Sequence, residues 1–196
     1  MDEDLIQNGG PSPVTTPRRI MIIGAPGSGK STLARTLGAH YDIPVYHMDR
    51  AVHWLPGWKE RPLEEKTPIV KLIVREEAWV FEGGHATTYP DRAARADLLI
   101  WLDLPLSLRL FRVIRRTLRD RGHVRPDCQD ECPERIDMLP EFIGFFLRTR
   151  KTAKAKQQAA FDAFDKDKHR LTTRKSVAEF TAQVPTPADT AFKPAP

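Results

Sequence analysis

The chain has 196 residues, 40% of them hydrophobic and 29% charged, with a net charge of +5. That is one domain's worth of sequence, about 100–200 residues, with enough apolar material for a core and too much for a disordered chain. No run approaches the roughly 20 apolar residues that cross a bilayer, and Met1-Asp2-Glu3-Asp4 is acidic where a secretory leader is basic and then apolar. Two cysteines, Cys128 and Cys132, cannot build a disulfide framework, so a cytoplasmic location is expected. The positive charge asks for an anionic partner. Nucleic acid, nucleotide and phosphorylated metabolite all meet that description.

Residues 1–17 and 184–196 hold seven of the 17 prolines and lack apolar periodicity. They read as flexible tails around a folded unit at 18–183. Within it, Arg19 to Ile23 is an Ile-rich strand, and Ser31 to Ala39 carries Leu33 and Leu37 at helical spacing. Between them, Gly24-Ala25-Pro26-Gly27-Ser28-Gly29-Lys30-Ser31 fits G-x-x-x-x-G-K-[ST] at every position, followed by Thr32. Strand, glycine-rich loop and helix in that order make a phosphate cradle. Backbone N–H groups and the positive helix end hold polyphosphate, Lys30 reaches the outer phosphates and the Ser31 hydroxyl ligates Mg²⁺. No Asn/Thr-Lys-x-Asp element for reading guanine is present, which favours ATP.

Val45 to Met48 is a second short strand ending near Asp49, Arg50, His53 and Trp54. Thr67 and Pro68 resemble a helix start, with an earlier start and a kink at Pro68 as the alternative. Trp79 to Phe81 and Leu98 to Leu102 are buried strands, and each ends at an acid, Glu82 or Asp103. Either carboxylate suits the second Mg²⁺ contact of a P-loop, and spacing does not choose between them. Leu106 to Arg121 is a basic helix whose apolar side is expected at Leu106, Leu110, Val113, Ile114 and Leu118. Seven arginines fall between Arg109 and Arg125 against one acid, Asp120; solvated helix faces are the plain alternative for such a run. A polar loop at 122–133 leads to a helical stretch from about Glu134 to Ala160, broken or kinked at Pro140. A strand near His169 to Thr173 and a helix around Val177 to Phe180 close the domain. Alternating strands and helices of these lengths indicate an α/β fold, a five-stranded parallel sheet with helices on both faces.

The residues GAPGSGKSTLA at 24–34, IPVYHMD with Trp54-Leu55-Pro56-Gly57-Trp58 after it, WVFEGG at 79–84, DLLIWLDLP at 97–105, the arginine-rich helix and Cys132-Pro133-Glu134-Arg135 together resemble P-loop kinases of the adenylate-kinase-like superfamily. Within it they are similar to bacterial proteins described as DNA-topology-modulation or adenylate-kinase-related. The resemblance implies an ATP- and Mg²⁺-dependent phosphotransferase acting on a nucleotide, nucleoside or similar small acceptor. It favours Glu82 over Asp103 beside Mg²⁺, although such kinases generally carry Asp-Gly where this chain has Glu82-Gly83. It also implies a lid at 122–133 whose flanking arginines, here Arg116 and Arg148, close over the transferred group. Asp49 is then a general base for an acceptor hydroxyl, or a cap of the following turn. Trp54 and Trp58 stack on a base or anchor the lid, and His85 and Arg92 line the loop after Glu82. C-x₃-C spacing with His123 nearby falls short of four zinc donors, so two structural thiols are expected. Two other readings stay open. One is a nucleic-acid-associated ATP-binding protein, for which no binding motif is present, and the other is a degenerate nucleotide-binding regulator.

Overall fold

The computed structural model describes residues 17–183, so the tails expected at 1–17 and 184–196 lie, but for Pro17, outside the described residues. Seven strands occur in chain order: β1 (Arg19–Gly24), β2 (Val45–His47), the two-residue β3 (Trp54–Leu55) and β4 (Lys59–Glu60), β5 (Trp79–Glu82), β6 (Leu98–Leu102) and β7 (Asp167–Leu171). Helices α1 (Lys30–Tyr41), α2 (Leu63–Ile73), α3 (Tyr89–Arg95), α4 (Leu106–Arg119), α5 (Leu139–Ala163) and α6 (Arg174–Gln183) alternate with them. β1 pairs in parallel with β5 on one side and β6 on the other, and the sheet runs β2-β5-β1-β6-β7, all parallel. β3 and β4 form a separate antiparallel hairpin that periodicity did not reveal, because two-residue strands carry no period.

The alternation within each central strand divides the core between the two faces. Met21, Ile23, Trp79, Phe81, Leu99 and Trp101 meet Val70, Ile73, Tyr89 and Phe164 from the α2, α3 and α5 side. Ile20, Ile22, Val80, Leu98 and Ile100 meet Leu33, Ala34 and Leu37 of α1, with Val177 and Phe180 of α6 beside them. Both faces are covered, which is why the strands read as unbroken apolar runs.

Four local expectations need correction. α2 starts at Leu63, after Pro62, and runs through Pro68 at the loss of one backbone hydrogen bond, so the earlier start is the observed one. Pro140 lies in the first turn of α5, where its missing N–H is harmless, and it therefore opens a helix that was expected to begin near Glu134. The connection between α4 and α5 is correspondingly longer than 122–133, and isolated bridges Arg121↔Glu134 and Val124↔Pro133 fold it back on itself. On α4, Val113 and Thr117 are the buried residues, while Phe111, Ile114 and Leu118 are exposed. The helix turns its polar residues toward the phosphate loop, a priority that apolar periodicity does not encode.

Gly38 shows how tightly α1 sits on the sheet. A Cβ there would lie 2.2 Å from Val45 Cγ2 and 3.1 Å from the Ile43 carbonyl. Gly38→Ala raises helix propensity by about 1 kcal/mol, yet the overlap should outweigh it, because overpacking costs about 1–3 kcal/mol. Thermal denaturation is the check, and a melting temperature equal to or above that of the parent chain would contradict this packing.

Candidate active site

The loop between β1 and α1 has the backbone its glycines allow, with positive φ at Gly24, Gly27 and Gly29. At Gly27 no other residue fits, since a Cβ would sit 2.4 Å from the Arg109 carbonyl of α4. Ala25 and Pro26 complete the turn, with Ser28 N–H donating to the Ala25 carbonyl at 3.3 Å. The Lys30 ammonium folds back on that carbonyl, also at 3.3 Å. The Ser28 hydroxyl is buried without a partner, and Thr32 is exposed. On the outer side, Arg112 donates to the Ser28 carbonyl at 3.2 Å.

Glu82 ends β5, in register with Ile22 of β1 and His47 of β2, and is 4% exposed. Its Oε1 lies 2.9 Å from Ser31 Oγ and 2.8 Å from His47 Nδ1. Burial pushes its proton affinity up, but His47, Lys30 and Ser31 outweigh it, and the carboxyl stays below the ordinary Glu range. Asp103, the rival carboxylate, ends β6 and pairs with Arg170 at 2.6 Å and Lys154 at 3.0 Å. Its place is a structural ion-pair cluster beyond the sheet's centre.

Asp49 lies two residues beyond β2, at the start of a short helical turn, Asp49–His53. Asp49 is solvent-exposed, crowded by the groups around Glu82, His53, Lys30 and Arg125, and borders the candidate cleft. That crowding and then the Glu82 charge raise its pKa, against the pull of His53, Lys30 and Arg125. Burial lowers the pKa of His53, whose ring meets His85 edge-on at 5.3 Å. Burial followed by His53 and Lys66 lowers that of His85. Arg92 is fully buried and holds up the turn after Glu82, donating to the Gly83 carbonyl at 3.0 Å and the Phe81 carbonyl at 2.6 Å. Substrate contact through Arg92 is therefore ruled out by its position, and burial brings its pKa down to about 10.

The segment after α4 lies over this cleft. Arg50 donates to the Cys128 carbonyl at 2.6 Å, and Trp58 donates through its backbone to Cys132 Sγ at 3.1 Å and through Nε1 to the Pro133 carbonyl at 2.9 Å. Trp58 is thus a lid anchor, with Trp54 packed edge-on against it at 5.3 Å. Arg116 of α4 and Arg125 of the lid lie 3.2 and 2.6 Å from Glu134 Oε1, and Arg125 also reaches Asp127 at 2.8 Å. Burial opposes the Arg125 charge, and Asp127, Cys128, Glu134 and Asp49 outweigh it. Arg148 stands exposed on α5, with no hydrogen bond or ion pair among the described residues.

Arg125 and Asp127 were the residues that sequence reasoning missed as site groups. Asp127 Oδ2 lies 2.8 Å from Ser31 Oγ, across 96 residues of chain. Both sit in an aperiodic loop whose return over the cleft depends on the Arg50 and Trp58 contacts, and no local pattern signals that. Among the described residues no group of three or more His, Cys, Asp or Glu is arranged to hold a metal.

No protein-family model matches the chain, and no curated protein matches it. Solved structures do. Shikimate kinase from Acinetobacter baumannii in complex with shikimate superposes with a TM-score of 0.50 at 16% identity, over 86% of this chain and 91% of that one. Shikimate kinase from Bacteroides thetaiotaomicron gives 0.49 at 16%, over 86% and 96%. A gluconokinase from Sinorhizobium meliloti 1021 gives 0.46 at 16%, over 86% and 89%. The first of these shows a shared fold, a five-stranded parallel sheet between helices. The relation to DNA-topology-modulation proteins is not among the findings.

Both thiols are free and buried, and burial pushes Cys128 up to about 12. A thiolate is the reactive form. Native protein should therefore leave both cysteines unmodified by a chromogenic disulfide reagent at pH 8, with two equivalents reacting in denaturant. Rapid modification of either thiol in the native state would show that the lid is open in solution.

Proposed function

We propose that the chain is an ATP-dependent phosphotransferase acting on a hydroxyl group of a small acceptor. The observation that carries this is the convergence, from separate segments, of Lys30, Ser31 and Glu82 at the end of the central strands, with Asp49 facing them across a cleft. The loop at Gly24–Ser31 and Lys30 hold the polyphosphate, with Thr32 following in α1. Hard oxygen donors suit Mg²⁺, and the Ser31 hydroxyl with the Glu82 carboxylate is such a set. When bound, Mg²⁺ would neutralise charge on the phosphates. Asp103, held by Arg170 and Lys154, has no part in this reading.

Asp49 accepts the proton of the acceptor hydroxyl as that oxygen attacks. A phosphate acceptor needs no base, so a cleft carboxylate that is raised in pKa yet solvent-accessible favours an alcohol over a nucleoside monophosphate. Arg116 and Arg125 face the cleft from the lid side, where they would stabilise the transferred group while the lid excludes water. Arg125 replaces Arg148 as the second arginine. A nucleic-acid-binding role has no particular observation in its favour, and Arg109 and Arg112 are engaged with the protein's own carbonyls. Among the described residues no helix is long and apolar enough to cross a membrane.

A screen of sugars, hydroxy acids, nucleosides and nucleotides with Mg-ATP tests the reading, and background ATP hydrolysis with every acceptor would sink it. With an accepted substrate, Lys30→Ala should lower kcat by at least about 100-fold, the scale for losing one preorganised donor. The pH profile supplies a second check. Asp49 works only when ionised and its pKa is raised, so kcat/KM should fall with decreasing pH at a value above the ordinary Asp figure of about 3.9. Asp49→Asn should cost about 10²–10⁴-fold and abolish that acidic limb; an unchanged limb would assign it to another group.

A further inference from the structure

The Ser31 hydroxyl is approached by two carboxylate oxygens, Glu82 Oε1 at 2.9 Å and Asp127 Oδ2 at 2.8 Å. A hydroxyl has one proton, and at neutral pH carboxylates are acceptors only. One of the two contacts therefore sets a serine lone pair against an anionic oxygen. His47 donates to the same Glu82 oxygen and Arg125 to the same Asp127 oxygen, each at 2.8 Å, and the Lys30 ammonium is turned back to the Ala25 carbonyl, so none of these donors relieves the second carboxylate contact at Ser31. They come from three places in the chain, the phosphate loop, the end of β5 and the lid. Asp127 is held there on both flanks, with Arg125 paired to Glu134 and the Cys128 carbonyl bound by Arg50. Hard oxygens at this spacing suit a small divalent cation, and Mg²⁺ typically takes one or two carboxylates together with substrate phosphates.

Resting on the phosphotransferase reading, we propose that Asp127 is a lid-borne contributor to the Mg²⁺ site, so that the lid supplies a second carboxylate to the cation that Ser31 and Glu82 hold beside the nucleotide. The metal then links the phosphate loop to the lid. Divalent-ion binding to the nucleotide complex strengthens lid closure, and the lid in turn raises the ion's affinity, as linkage requires. Arg125 has a second part here, since its guanidinium keeps Asp127 aimed at Ser31.

The test uses the full chain with ADP and Mn²⁺ as the spectroscopic probe of the divalent site, and Asp127→Asn as the variant, with Asp127→Ser if the amide fails to fold. Electron paramagnetic resonance titration should show Mn²⁺ affinity of the ADP complex lowered by about 10–100-fold. ADP affinity measured in EDTA should be unchanged. Unaltered Mn²⁺ affinity would overturn the proposal. So would tighter ADP binding by the variant in EDTA, because it would make Asp127 a latch that competes with the phosphates. Failure of the parent chain to bind ADP at all would remove the phosphotransferase reading and this inference with it, whereas ADP and Mn²⁺ binding that ignores Asp127 would remove the inference alone.

Discussion

An ionised carboxylate 4% exposed at the end of a central strand is the constraint around which the rest is arranged. Glu82 is tolerable in that position because His47 of β2 and Ser31 of α1 bond it and the charge of Lys30, also of α1, lies nearby. A buried charge without such partners would cost several kcal/mol. The strand order meets the requirement directly. Putting β5 between β1 and β2 brings the phosphate loop to one side of Glu82 and the β2 end to the other. Below the carboxylate, Arg92 fixes the turn at Gly83 through two backbone carbonyls, so the site rests on a second buried charge.

The lid joins the two halves of the cleft. It is bound to the β2 side through Arg50 and Trp58 and to the phosphate-loop side through Asp127, while Glu134 gathers Arg116 and Arg125 beside it. α4 leads into the lid and also supports the phosphate loop at Gly27, where the Arg109 carbonyl leaves no room for a Cβ. A shift of the lid is therefore felt at the loop by two routes, one through space and one along the helix.

The conformation of the glycine-rich loop was legible because it is local. Gly24 to Ser31 is a contiguous motif whose backbone conformation follows from its glycines, and Glu82 follows a strand that announces itself by burial on both faces. Choosing Glu82 over Asp103 needed the ion pairs of Asp103 with Arg170 and Lys154, which link residues 67 and 51 positions apart and leave no trace in spacing. The lid was least legible. Arg116 of α4 pairs with Glu134 beside it, Arg148 has no bond to it, and Arg125 and Asp127 acquire their places only when an aperiodic loop folds back on Trp58. On α4 the apolar period predicted burial for Ile114 and Leu118, yet both are exposed, and it is Val113 and the Arg112 guanidinium that meet the phosphate loop.

The outer strand β7 reads Asp167-Lys168-His169-Arg170-Leu171, and the opposite margin, β2, is only three residues long. An unpaired strand margin is a template for adding another chain, and charge or brevity removes the invitation. Lys168 spends its ammonium on carbonyls of Phe161 and Phe164, and Arg170 lies over the Trp101 ring at 4.3 Å, so these charges are also fastened to the domain that they guard. Both margins of the sheet are in this sense guarded against the addition of another strand.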